Sequence, residues 1–130
     1  MGGVNRRFTR NRRLVKAADY RAVFEQGHAS PGEFFTLLGR ANEQSAGRVG
    51  LAIAKRRIAH ATRRNAVKRT VRESFRHHQH ELATLDIVVI ANSAANKADL
   101  GRLRKSLDAQ WAKLATRVRA KDSQGPSADG

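Results

Sequence analysis

The stretch Arg48-Val-Gly-Leu-Ala-Ile-Ala-Lys-Arg-Arg57, followed past Ile58-Ala-His60 by Ala61-Thr-Arg-Arg-Asn-Ala-Val-Lys-Arg-Thr-Val-Arg-Glu-Ser-Phe-Arg76, decides the fold. In its first half Val49, Leu51 and Ile53 alternate with Gly50, Ala52 and Ala54. That is the period of a strand, and its small face either lies under another element or leaves room for a ligand. In its second half Val67, Val71 and Phe75 recur every four residues, a narrow apolar stripe on a helix expected over Ala61 to His80, with Thr62 as an alternative N-cap. Between Lys55 and Arg76 stand nine basic residues against one acid, Glu73.

Working outward from this pair, Ile87 to Ile90 is β-branched throughout and reads as a strand buried on both faces. Asn92 to Lys97 is a loop, and Asp99 is an N-cap for a last helix carrying Leu100, Leu103, Leu107, Trp111, Leu114 and Val118. On the other side, a first helix from about Leu14 places Val15, Tyr20, Val23 and Phe24 on one face and stops at Gly27. Pro31-Gly32 turns the chain, Phe34 to Leu38 is a strand, and Asn42 to Gly47 is a hairpin loop. The order helix, strand, strand, helix, strand, helix predicts an α+β fold. It is expected as a two-layer sandwich of helices on a small mixed sheet of three to four strands. The expected organisation is a basic N-terminal arm over residues 1–13, a single α+β domain over 14–118 and a disordered polar tail over 119–130.

Composition narrows the partners. In 130 residues Lys and Arg number 26 and Asp and Glu 11, a formal charge of +15 that calls for a polyanion or leaves the chain repelling itself. Apolar residues make up 40% of the chain, too many for a disordered basic tail, so the charge is expected on one side of a real core. The absence of cysteine excludes disulfides and thiolate chemistry. No apolar run approaches the ~18 residues of a membrane span, and no signal core follows the basic N-terminus, so a cytoplasmic protein without a membrane partner is expected.

The chemistry concentrates on the second helix. Arg64, Lys68 and Arg72 lie at i, i+4 and i+8, and Arg63, Asn65, Arg69 and Arg76 continue the basic surface. Like charges this close weaken a bare helix, and the arrangement makes sense when phosphates supply the counter-charge. A second basic cluster from Arg6 to Lys16 includes Arg12 and Arg13, and His60 and Arg57 sit in the basic loop as further phosphate contacts. Tyr20 and Phe24 are i, i+4; singly each reads as core, but with flanking cations such aromatics also form platforms for unstacked bases. His77, His78 and His80 follow no metal spacing, and no nucleophile set, carboxylate pair or Gly-rich phosphate loop is present. No catalytic residue and no bound metal are expected, which points to a binding module.

The two halves of the opening stretch closely resemble the signature of the bacterial ribonuclease P protein. In that family a strand ending in two bases leads through a basic loop into a helix bearing Arg-Asn-x-x-Lys-Arg-x-x-Arg-Glu, met here by Arg64, Asn65, Lys68, Arg69, Arg72 and Glu73. The likeness covers roughly residues 8 to 117. Ala66 stands where the family often has a third base, and the loop lacks the Gly-Asn of some members. The resemblance implies a βαβ crossover of left hand, against the usual rule. It implies a non-catalytic subunit of an RNA-based endoribonuclease that makes the 5′ end of tRNA, with Mg²⁺ acting through the RNA. The partners it implies are that catalytic RNA, met by the basic helix, and the 5′ leader of precursor tRNA, with no obligate protein partner. The leader would lie in a cleft lined by Tyr20, Phe24, Leu38 and Lys55, with Arg56 beside them. Leu38 replaces an aromatic found in some members. The competing reading is a general RNA-binding or ribosome-associated protein with no part in tRNA processing. A DNA-reading helix is disfavoured because no short helix and tight turn precede it.

Overall fold

The structure, a computed structural model, describes residues 13–42 and 46–129, with side chains as far as residue 120. The elements in chain order are α1 (Ala17–Gln26), β1 (His28–Ser30), β2 (Phe35–Ala41), β3 (Arg48–Ala52), α2 (Ala61–His77), β4 (Leu85–Ala91) and α3 (Leu100–Asp129), with a short 3-10 turn at Ser93–Asn96 before α3. The sheet order is β1-β2-β4-β3; β4 runs antiparallel to β2 and parallel to β3. The β3–α2–β4 unit is therefore a crossover between adjacent parallel strands. The expected α+β class, mixed sheet and order of helix, strand, strand, helix, strand, helix hold, with one short strand, β1, added after α1.

The register divides the sheet into two faces. Phe35 pairs with Ala91, Leu37 with Val89 and Val49 with Ile87, and these side chains point to the face covered by α2 and α3. There they meet Val67, Val71 and Phe75 of α2 and Leu103, Leu107, Trp111, Leu114 and Val118 of α3, all fully buried. The rings of Phe75 and Trp111 pack edge to face, 5.8 Å between centroids. The opposite face carries Thr36, Leu38, Val88, Ile90, Gly50 and Ala52, and α1 covers only part of it, through Val23, Tyr20 and the preceding Leu14. Leu38, Ile90 and Ala52 remain half-buried. Both faces of β4 carry apolar side chains because the strand lies inside the sheet with helices on either side, as its unbroken apolar run predicts.

Several boundaries differ from expectation. The first helix starts at Ala17, not Leu14; Leu14 lies in an extended lead-in whose N–H donates to the Val49 carbonyl at 3.0 Å, and Arg13 bridges Val49 in parallel. Val15 is 60% exposed and Phe24 51%, so neither shares the buried face with Val23. The strand β1 was not expected, since His28-Ala29-Ser30 has no apolar alternation and exists only by pairing with β2. The second helix ends at His77 and is entered through His60, not Thr62, with no side-chain cap bond. The last helix continues as helical backbone to Asp129, through the stretch read as a polar tail, and among the side chains described Val118 is its last buried one.

Candidate nucleic-acid interface

Helix α2 presents two sides. Its apolar stripe is pinned to the core, which fixes the opposite side in space. On that outer side stand Asn65, Lys68, Arg69, Arg72 and Arg76. Lys68, Arg69 and Arg72 form no ion pair with any described carboxylate. Burial, and then the charge of Arg13, hold the Arg72 guanidinium below its ordinary range. Arg13, bridged to Val49 of β3, lowers the Arg72 guanidinium, and Tyr20 acts on it in the opposite direction. Arg76 differs, because Glu73 accepts from it at 2.5 Å and also contacts His77 at 3.1 Å. The hydrogen bond from Arg76, joined by His77 against a smaller cost of burial, holds the Glu73 carboxyl below its usual value.

Two arginines expected on this ridge turn elsewhere. Arg63 Nη2 donates to the carbonyls of Ala95, at 2.8 Å, and Ala98, tying α2 to the turn before α3; its Nε is buried without an acceptor among the described residues. Arg64 Nη1 donates to the carbonyls of Ile58 at 3.0 Å and Ala59 at 2.7 Å, holding the loop that enters the helix. Their position explains this. Arg63, Val67, Val71 and Phe75 form one i, i+4 row, so Arg63 extends the apolar stripe by a turn and points at the protein. That row was visible in the sequence.

The cleft face brings together part of the expected set. Tyr20 and Leu38 belong to one apolar patch with Val23, Val88, Ala52 and Ile90. The Tyr20 ring lies over Gly50, where an added Cβ would stand 2.6 Å from Cζ, and its hydroxyl oxygen accepts from the Leu51 N–H at 3.2 Å. Phe24 is the exposed aromatic of α1. Lys55, Arg56 and Arg57 are exposed in the loop leaving β3, whose turn is closed by the N–H groups of Arg57 and Ile58 on the Ala54 carbonyl; Arg57 also donates to Ser93 Oγ at 3.3 Å. His60 is exposed at the start of α2. Arg12 lies outside the described residues.

Sequence reasoning missed a polar cluster at one end of this face. Arg48 is bidentate to Asp86, Nε to Oδ1 at 2.9 Å and Nη2 to Oδ2 at 2.7 Å, and Asn42 Nδ2 donates to the same Oδ1 at 2.7 Å. The hydrogen bond from Arg48 to Asp86 outweighs its partial burial and raises the guanidinium above its ordinary value. The two ionisable residues stand at paired positions of neighbouring strands, Arg48 opposite Asp86.

Among the described residues no group of three or more His, Cys, Asp or Glu is placed to hold a metal ion, and no helix is long and apolar enough to cross a membrane. A small α+β scaffold that presents a cationic helix on one side and a half-covered apolar and aromatic face on the other is the architecture of an RNA-binding subunit. The comparisons with known proteins give the particular family. The family model described as Ribonuclease P matches residues 8–115. The ribonuclease P protein component of Aliivibrio fischeri is 43% identical over 112 residues, 86% of this chain and 96% of that protein. That of Thioalkalivibrio sulfidiphilus is 40% identical over 87% of this chain and 94% of its own length. Among solved structures, the ribonuclease P protein of Staphylococcus aureus superposes with a TM-score of 0.74 at 29% identity, covering 79% of this chain and 96% of that one. The Thermotoga maritima protein gives 0.70 at 30% identity, covering 78% and 96%. The chain belongs to the bacterial ribonuclease P protein family, the protein subunit of an RNA-containing endoribonuclease of tRNA processing.

Proposed function

We propose that this subunit meets the catalytic RNA through the outer side of α2, with Asn65, Lys68, Arg69, Arg72 and Arg76, and holds the 5′ leader of precursor tRNA across the cleft face. Phe24 and Leu38 offer the leader an apolar and aromatic surface there, Tyr20 shapes it, and Lys55 and Arg56 meet the backbone where the strand ends. Arg12, Arg13, Arg57 and His60 add phosphate contacts. Arg63 and Arg64 serve the surface indirectly, by fixing the loops at the head of the helix. The observation that carries this reading is the outward row of Lys68, Arg69 and Arg72 with no carboxylate from the described residues to neutralise it.

In this reading the subunit supplies no catalytic residue of its own, and among the described residues no group of three or more His, Cys, Asp or Glu is placed to hold a metal ion. Mg²⁺ acts in this reading through the RNA, and the protein's cations screen phosphate repulsion around it. The role is one of positioning: binding energy from the leader, remote from the scissile bond, aligns the substrate. The setting is cytoplasmic, with no membrane and no obligate protein partner.

The test compares affinities of the reconstituted holoenzyme for precursor tRNA and for leaderless mature tRNA, with and without the protein. The protein is expected to strengthen binding of the precursor by at least about tenfold more than of the mature form, a difference of about 1.4 kcal/mol. Equal strengthening of both would remove the leader from the account.

A further inference from the structure

Helix α1 is held to the sheet by little. Val23 is its one fully buried residue among Ala17–Gln26, and Phe24 and most of the polar positions face solvent. Yet its place across the sheet determines how much of Leu38, Ile90 and Ala52 stays open. Besides the packing of Val23 against β2 and β4, three contacts locate it, to Arg48, Gly50 and Leu51 of β3. Asp19, in the first turn of α1, lies with Oδ2 3.5 Å from Arg48 Nη1. Tyr20, the next residue, sets its ring against the bare backbone of Gly50. Its hydroxyl accepts from the Leu51 N–H, a donor on the outer edge of the sheet, since β3 is an edge strand.

Arg48 is well suited to anchor a neighbour. Two of its nitrogens are fixed on Asp86, which is 2% exposed, and Asn42 Nδ2 donates to the same Oδ1 that Arg48 Nε meets. The guanidinium is thus a rigid, charged surface feature of the sheet, and only Nη1 turns towards α1. Gly50 supplies the complementary notch: a Cβ added there would stand 2.6 Å from the Tyr20 ring, so any larger residue moves the ring, and α1 with it.

We propose that Arg48 and Gly50 form a seat on β3 for α1, and that Asp19 is a positioning residue, locking α1 there and so setting the width of the cleft without touching the leader. Tyr20 is by the same geometry part of the seat, and Phe24 is left as the aromatic that α1 offers to a base. This inference rests on the leader reading above.

The test uses the full chain reconstituted with a bacterial ribonuclease P RNA, precursor tRNA with a leader, and leaderless tRNA. Asp19→Ala is expected to reduce the preference for precursor over leaderless tRNA by about two- to fivefold, the range a partly exposed ion pair supports, while affinity for the RNA subunit stays within about twofold. Asp19→Glu, which still reaches Arg48, restores most of the preference. Amide exchange in α1 is expected to quicken in Asp19→Ala and not in Asp19→Glu. If Asp19→Ala fails to fold, the same comparison is made with Asp19→Asn, which keeps the shape and removes the charge. An unchanged preference in the folded variant overturns the seat. A wild-type holoenzyme with no preference overturns the leader reading instead, whatever the variants do.

Discussion

Arg63 and Lys68 are both bases of one helix, five residues apart, and the structure gives them different work. The side chain of Arg63 is spent on the carbonyls of Ala95 and Ala98, whereas Lys68 meets no described carboxylate. Arg63→Ala strands two carbonyls and opens space beside the stripe, so it is expected to cost about 1–3 kcal/mol of stability, read from chemical denaturation of the isolated protein. The salt dependence of RNA binding should not change in that variant. A stable variant with a flatter salt slope would put Arg63 on the RNA after all. At this scale the sequence showed which residues carry charge and, through the i, i+4 rows, which side of the helix each occupies. It did not show the acceptors, because Ala95 and Ala98 come from a turn some thirty residues downstream. The Arg48–Asp86 pair was hidden for the same reason: it exists only in the register of β3 against β4.

Among the elements, α2, β3 and β4 were legible because each has a strong pattern of its own: a four-residue stripe, an alternation, an unbroken β-branched run. β1 and the extended lead-in through Leu14 were not, since both take their structure from a neighbour's backbone. The seam between α2 and α3 is apolar except at one place. Ser74 donates to Asp108 at 2.6 Å and accepts from the indole of Trp111 at 2.7 Å, and Arg104 donates to Asp108 at 3.1 Å. Burial pushes the Asp108 carboxyl up, but the hydrogen bonds from Ser74 and Arg104 outweigh it, so the group lies below its ordinary 3.8. Glu73 lies below its ordinary 4.5. A carboxyl depressed in the folded state stabilises the fold above its unfolded value and loses that contribution as pH falls through the folded value. The melting temperature is therefore expected to be nearly level from about pH 7 to 5 and to fall below about pH 4. Asp108→Asn should narrow the gap between the melting points at pH 6 and pH 3, and an equal gap in both proteins would exclude Asp108 as a source.

Over the whole molecule, the charge of +15 is arranged and not merely carried. The core fixes α2 by one side, so the cost of crowding Lys68, Arg69 and Arg72 on the other is borne by packing. That the chain binds a polyanion was legible from composition and from this one helix. The two-sided character of the sheet was not, because it depends on where α1 comes to rest. The account's central claim is that the outer side of α2 is a phosphate-binding surface. Its most direct test is the salt dependence of assembly with the RNA subunit, measured for the wild type and for Lys68→Ala/Arg69→Ala/Arg72→Ala. If the three cations each neutralise a phosphate, the slope of log K against log salt becomes shallower by about two to three in the variant. An undiminished slope would mean that α2 faces away from the RNA.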